Sequence, residues 1–243
     1  MVLGELKRMN VEQLKWDTDF FGFNVAKIAK DYLRLDATSK LKGIFNQDIT
    51  LGVYNSSKPD FEKFENKYYD IVNVYNRIPI IKKVKVSSNT HQNIFSYQEE
   101  SPSLELIELA KLAGKEGRFA RDSRFSEETY NRIFEQWITN SVKRVVADEV
   151  LVFKVDEKIV GFGTIKIEGD YGFAPLFAVN REYEGKGVSF ALMRAIENKV
   201  IEKKCKYLVS GTQEINKKAL TSFKRFGFEL QTPEYVYHLW KKE

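Results

Sequence analysis

A 243-residue chain that is 43% hydrophobic and 14% aromatic can bury one large core or two small ones, and its 39 basic and 34 acidic residues, net +5, are spread evenly enough to leave nucleic acid no basic stripe. A single cysteine, Cys205, excludes an intramolecular disulfide and is expected as a small buried residue; with His91 and His238 it forms no cluster at metal-ligand spacing, so no metal is expected. The apolar runs are too short to span a bilayer and the first residues lack a secretory apolar region, so a soluble, cytoplasmic protein with no membrane partner is expected.

The first predicted feature is LKWDTDFFGFNVAKI, where Trp16, Phe20, Phe21 and Phe23 surround Gly22 in an aromatic cluster that reads as packing, with Asp17 and Asp19 as capping or turn residues. Strand-like pieces follow in NVAKIAK, DITLGVYN and DIVNVYNRIPIIKKVKV, and between the last two PDFEKFENKYY reads as a helix opened by Pro59 and Asp60. Residues 1–86 are therefore expected to form a small α/β domain, with a divergent partial copy of the following domain as one option for its origin. The polar, aperiodic stretch 87–103 reads as a linker, with His91 as a solvated loop residue.

Residues 104–243 read as the larger domain. SLELIELAKLAGKEG carries Leu104, Ile107, Leu109, Leu112 and Ala113 at helical spacing, with Gly114 or Gly117 to end it. A loop from Arg118 to Phe125 precedes a second helix over about Glu127–Val142, in which Trp137 is expected to be buried against a sheet. EVLVFKVDEKIVGFGTIKIEGDYGFAPLFAV predicts three strands with turns at Asp156–Lys158 and Glu168–Asp170.

The run from Tyr171 to Val200 carries the most chemistry. An apolar strand enters a charged turn with glycines at 185 and 187, and a helix patterned by Leu192, Ala195, Ile196 and Val200 follows. Glycines at alternate positions let the backbone turn tightly and approach a ligand closely. The unpaired N–H groups opening the helix present partial positive charge, and Lys186 adds a full one, so the turn suits a pyrophosphate. Downstream, KYLVSG predicts a strand from Tyr207, NKKALTSFKRFGF a helix from about Asn216 to Gly227, and YVYHLWK the last strand.

Together the EGKGVS turn, the Asn216–Ala219 step and FKRFGF resemble the acyl-CoA-binding core of the Gcn5-related N-acetyltransferase (GNAT) superfamily, over roughly the last hundred residues. The resemblance implies an α/β (α+β) fold with a mixed, mainly antiparallel central sheet flanked by helices, and acetyl-CoA or another short-chain acyl-CoA as cofactor. It implies that the exposed backbone of Leu176, Phe177, Ala178 and Val179 pairs with the pantetheine, and that the amides of Gly185, Lys186, Gly187, Val188 and Ser189 hold the pyrophosphate. Asn216 and Phe223 would lie beside the pantetheine and thioester, with Asn216 counted among the catalytic residues. The sequence departs from the family at Glu184, where Arg or Gln is usual, and at Phe223, where many members carry a Tyr that protonates the departing thiolate.

The acceptor is addressed by a second resemblance spanning nearly the whole chain. LKWDTDFFGFNVAKI and RFARDSRFSEETYNRIFEQWITNSV look like the sugar-nucleotide N-acyltransferases that act on dTDP-linked amino-dideoxyhexoses, which implies a role in surface polysaccharide synthesis. Arg118, Arg121 and Asp122 are then the candidate substrate contacts, since a bidentate guanidinium grips phosphate well; a solvated charged turn is the alternative. Base candidates for deprotonating the sugar ammonium are Asp122, Tyr171 and, through water, Glu168 or Asp170, each with a plain turn or strand explanation. A protein N-terminus or a small amine is the alternative acceptor, and a non-catalytic acyl-CoA-binding module the alternative class. Related sugar-nucleotide enzymes are often dimers, so the resemblance admits a homodimer.

Overall fold

A computed structural model describes residues 10–59, 66–85 and 89–243. The expected helix over PDFEKFENKYY lies largely outside the described residues. In chain order the elements are β1 (Val11–Gln13), α1 (Lys15–Phe21), β2 (Val25–Ile28), α2 (Ala37–Phe45), β3 (Leu51–Ser56), β4 (Tyr69–Lys83), β5 (Ile94–Ser96), α3 (Leu104–Gly114), α4 (Arg118–Arg121) and α5 (Glu127–Val142). They continue as β6 (Glu149–Val155), β7 (Lys158–Glu168), β8 (Tyr171–Phe173), β9 (Phe177–Val179), α6 (Val188–Glu202), β10 (Tyr207–Gln213), α7 (Lys217–Phe226), β11 (Glu229–Leu230) and β12 (Glu234–Lys241).

The chain divides into two compact units, one reaching Arg77 and taking in Pro233–Glu243, the other running from Ile78 to Thr232. This differs from a division into 1–86, 87–103 and 104–243 for two physical reasons. β12 returns to the first unit, lying antiparallel between β3 and β4 with Tyr237 opposite Tyr54 and Asn73. The expected linker also contributes a strand: β5 pairs with β6, Ile94 opposite Phe153, and Tyr97 Oη donates to the Ser101 carbonyl at 2.8 Å.

In the first unit β1 pairs with β2, β2 runs parallel to β3, and Ala26, Ile28, Leu41, Ile44, Tyr54, Tyr237 and Leu239 fill the core. The aromatic residues pack on one another but stay half-buried at the edge of the core: Trp16 stacks on Phe20 at 5.1 Å, Phe21 on Phe23 at 5.4 Å, and Phe23 meets Trp240 at 5.9 Å. Asp17 and Asp19 are not turn residues. Both lie within α1, where Asp17 occupies the first turn and Asp19 pairs with Lys15 at 2.7 Å; Gly22, left-handed at φ 74°, ends the helix.

The second unit is a mixed sheet running from the later part of β4 through β10, β8, β7 and β6 to β5, with β8 and β10 parallel and the β5–β6, β6–β7 and β7–β8 pairs antiparallel. The β6–β7 hairpin turns at Asp156 and Glu157, both at positive φ. α6 sits close on the sheet because glycines lie beneath it. A Cβ on Gly161 would stand 2.9 Å from Leu192 Cδ1, and one on Gly163 2.6 Å from Ile196 Cδ1. Glu197, 2% exposed on α6, pairs at 2.8 Å with Lys82, whose ammonium lies 3.9 Å over the Phe226 ring, so one buried ion pair ties α6 to β4 and α7. Where a loop was expected after α3, residues 118–121 form the short helix α4. Trp137 is half-buried, its ring against Phe119 at 5.7 Å and Phe134 at 5.2 Å.

Candidate active site

The site begins where a strand breaks. β8 runs parallel to β10, Tyr171 opposite Tyr207, and the pairing ends with the Ala174 N–H donating to the Val209 carbonyl at 3.0 Å. Ser210 Oγ donates to the Ala174 carbonyl at 2.9 Å, and Pro175 follows. From there the chain turns onto β7 alone. Buried Thr164 accepts the Leu176 N–H on its Oγ1 at 3.0 Å while its own N–H donates to the Leu176 carbonyl at 2.9 Å.

Register decides which groups are left over. β9 pairs with β7 with Ala178 opposite Phe162, and the Asn180 N–H donates to the Val160 carbonyl at 2.8 Å. Leu176, Ala178 and Asn180 therefore aim their main-chain groups at β7, while those of Phe177 and Val179 face the side that β10 has left. Of the four residues predicted to line the coenzyme arm, these two present an open ladder edge, which is what an added strand needs.

The turn after β9 prepares the second part. Asn180 Oδ1 accepts the Glu182 N–H at 3.0 Å, and Gly185 and Gly187 take φ of 75° and 83°. Gly187 caps α6 without any side-chain hydrogen bond, and the first helical main-chain bond is Ala191 N–H to the Gly187 carbonyl at 3.0 Å. The amides of Val188, Ser189 and Phe190 are thus left without intrahelical acceptors. A Cβ at Gly185 or Gly187 would meet nothing within 4 Å, so the space before these amides is open. The Lys186 amide is the exception among the five predicted, bending back to the Tyr183 carbonyl at 3.4 Å. Glu184 is paired with Lys218 of α7 at 2.9 Å, which offsets a carboxylate beside an anion site. An open edge followed by a pre-shaped amide nest fits the pantetheine and pyrophosphate of coenzyme A.

Asn216 and Phe223 have structural roles. Asn216 Oδ1 accepts the Ala219 N–H at 3.1 Å and caps α7, and buried Phe223 packs edge-on against Phe228 at 5.3 Å. Arg118, Arg121 and Asp122 lie together on α4 and at its end. Arg118 covers the Phe119 ring at 4.3 Å, Arg121 pairs with Glu116, and Asp122, 2% exposed, accepts the Arg124 N–H at 3.0 Å. Tyr171 is not brought to the break. It opens β8 at the end away from Ala174, three residues or roughly 10 Å of strand before the break, and stacks on Tyr207 at 5.4 Å. Glu168 and Asp170 share that far end, and Asp170 pairs with Lys206 at 2.7 Å.

Thr164 and Ser210, which hold the two sides of the break, carry little signal in the sequence. A lone Thr in the apolar run IVGFGTIKI was the available signal for the first, since a buried hydroxyl needs a partner; nothing distinguishes Ser210. Among the described residues no three His, Cys, Asp or Glu side chains converge as metal ligands, and no helix is long and apolar enough to cross a membrane.

The broken strand and the uncapped helix accord with a GNAT fold, and residues 107–228, half of the chain, match the Acetyltransferase (GNAT) family. The chain belongs to that family, whose enzymes use acetyl-CoA or another acyl-CoA. Among curated proteins it is 27% identical over 135 residues to the spore coat polysaccharide biosynthesis protein SpsD of Bacillus subtilis, covering 56% of this chain and 46% of SpsD. The chain therefore matches about half the length of that relative. Among solved structures, a putative GNAT-family acetyltransferase from Novosphingobium aromaticivorans superposes with a TM-score of 0.59 at 14% identity, covering 90% of this chain and 84% of that one. A GCN5-related N-acetyltransferase from Sphaerobacter thermophilus gives a TM-score of 0.53 at 12% identity, with coverages of 95% and 76%. These two likenesses concern the fold.

Proposed function

We propose that this acyltransferase moves an acetyl or other short acyl group from acyl-CoA to the amino group of a dTDP-linked amino-dideoxyhexose during synthesis of a surface polysaccharide. The observation that carries the acyl-donor half is the open edge of β9 leading into the amides of α6. The acceptor half is supported by the two N-terminal and α4–α5 motifs and by the likeness to a polysaccharide biosynthesis protein.

When bound, the coenzyme supplies an acyl group activated as a thioester. The chain holds and orients it. The main chain of Phe177 and Val179 aligns the pantetheine as an extra strand, and the amides of Gly185, Gly187, Val188 and Ser189 fix the pyrophosphate. Holding donor and amine together removes much of the entropic barrier, and an amide on the open edge polarises the thioester carbonyl. Arg118 and Arg121 grip the nucleotide diphosphate, while Asp122, 2% exposed and accepting the Arg124 N–H, is too enclosed to meet the sugar amine and instead shapes the turn after α4. Phe223 has no hydroxyl, so water or another group returns the proton to the thiolate.

Thiol release from acetyl-CoA, measured across dTDP-3-amino and dTDP-4-amino sugars, spermidine and an N-terminal peptide, tests the proposal. Turnover only with an amino sugar nucleotide is expected. Turnover only with spermidine or the peptide overturns the acceptor, and coenzyme binding without turnover on any amine favours the non-catalytic reading that Phe223 allows. Arg118→Ala and Arg121→Ala should raise the sugar-nucleotide KM and leave acyl-CoA affinity unchanged.

A further inference from the structure

The face of α6 turned toward α7 carries an aromatic ring and a guanidinium that stay partly open to solvent. Phe190 is the third residue of the helix and 48% exposed, its ring set edge-on to Phe226 of α7 at 5.0 Å. Arg194, one turn further on, holds its guanidinium 5.6 Å from the Phe190 ring and 5.5 Å from the Phe226 ring. Among the described residues it has no carboxylate partner. Val188, Leu192 and Ile196 take the face toward the sheet, so Phe190 and Arg194 lie together on the outer side at i and i+4.

These two residues begin one step beyond the amides proposed to hold the pyrophosphate, and the Phe190 amide is itself one of the free N–H groups of the first turn. A coenzyme whose diphosphate sits at Gly187–Ser189 must send its ribose, base and 3′-phosphate somewhere within a sugar's width of that point. An exposed aromatic ring offers a base a stacking surface, and an unpaired guanidinium offers a phosphate a two-pronged, charge-assisted partner. Lys186 stands on the turn alongside, its ammonium 5.0 Å over the Tyr183 ring rather than in an ion pair.

We infer that Phe190 stacks the adenine of the acyl donor and Arg194 binds its 3′-phosphate, making this pair the determinant that separates coenzyme A from coenzymes and nucleotides lacking that phosphate. The inference rests on the acyl-CoA reading of the site. Neither residue touches the reacting atoms; both act on donor selection.

Isothermal titration of the protein with CoA, dephospho-CoA, 3′,5′-ADP and dTDP tests it without turnover. The wild type is expected to favour CoA over dephospho-CoA by about tenfold or more, the size of one charge-assisted contact. Arg194→Gln should bring CoA down to the affinity of dephospho-CoA while leaving the latter unchanged. Phe190→Ala should weaken both by a similar factor, and Arg194→Lys should keep part of the preference. Thermal denaturation confirms that each variant is folded. Equal wild-type affinity for CoA and dephospho-CoA, an equal loss of both in Arg194→Gln, or displacement of 3′,5′-ADP by dTDP overturns this assignment while leaving the coenzyme site standing. Absence of any CoA binding by the wild type overturns the coenzyme site too.

Discussion

Replacing Gly187 by Ala tests the amide nest at one atom. The residue sits at φ 83°, where an L side chain costs roughly 1–2 kcal/mol, and the new Cβ would meet no protein atom within 4 Å. The fold should therefore survive with a Tm lowered by about 2–8 °C. That same empty space is where the pyrophosphate is proposed to lie. Pushing it off two amide contacts, each worth roughly 1.5–3 kcal/mol to a charged group, should weaken CoA binding by about 100-fold or more. Gly169 provides the matched control: it has a positive φ of 57°, a Cβ there also meets nothing, and it lies in the β7–β8 turn at the far end of the sheet. Calorimetric titration with CoA, alongside thermal melts, should show similar stability losses in Gly187→Ala and Gly169→Ala but a binding loss only in the first. Equal effects on binding, or none in either, would refute the placement of the coenzyme at this turn.

Thr164→Val removes the hydroxyl that accepts the Leu176 N–H inside the sheet, and should cost about 1–3 kcal/mol by denaturant unfolding and raise the acyl-CoA KM, because the break in the strand is then held from one side only. Lys82→Met leaves the Glu197 carboxylate buried without its cation and should destabilise by about 3–5 kcal/mol, with Lys82→Met/Glu197→Leu recovering most of it; an additive double variant would contradict the pairing. Burial raises the Glu234 carboxyl, but the ion pairs with Lys30 and Arg77 outweigh it and hold the group below its ordinary value. A depressed carboxyl contributes stability that is present above its unfolded pKa and lost as pH falls through the folded one. The wild type should thus lose stability below about pH 4.5, and Glu234→Gln should flatten that acid limb, read from melts between pH 7 and pH 3. Asp31 and Asp148 are depressed as well, so the flattening should be partial.

Much of the second unit was legible in the sequence because its features are local. The glycines at 185 and 187, the helical spacing from Leu192 to Val200 and the Asn216 cap each follow from a few neighbouring residues. The break at Ala174–Leu176 was less so. An apolar run such as FAPLFAV reads as one strand, and only the position of β10, set by long-range pairing, reveals that half of it is abandoned. The return of β12 was hidden for the same reason, since YVYHLWK carries an alternation that suits any sheet. The stretch around Ile94–Ser96 was masked by its polar flanks, although three residues suffice for an edge strand. Tyr171 reads as a candidate base because a phenol is a plausible one; its distance from the break depends on which end of β8 opens, and composition does not encode that.

The placement of β12 also bears on how the protein is made. The strand that fills the gap between β3 and β4 is translated about 150 residues after β4, roughly eight to thirty seconds later at ordinary elongation rates. Throughout that interval two ladder edges of the first unit stand bare on the ribosome, a condition that invites pairing with neighbouring nascent chains. Yield in a cell should accordingly respond to holdase chaperones and growth temperature more than the finished fold's equilibrium stability would suggest, and fragments that stop short of Pro233 should accumulate as aggregates.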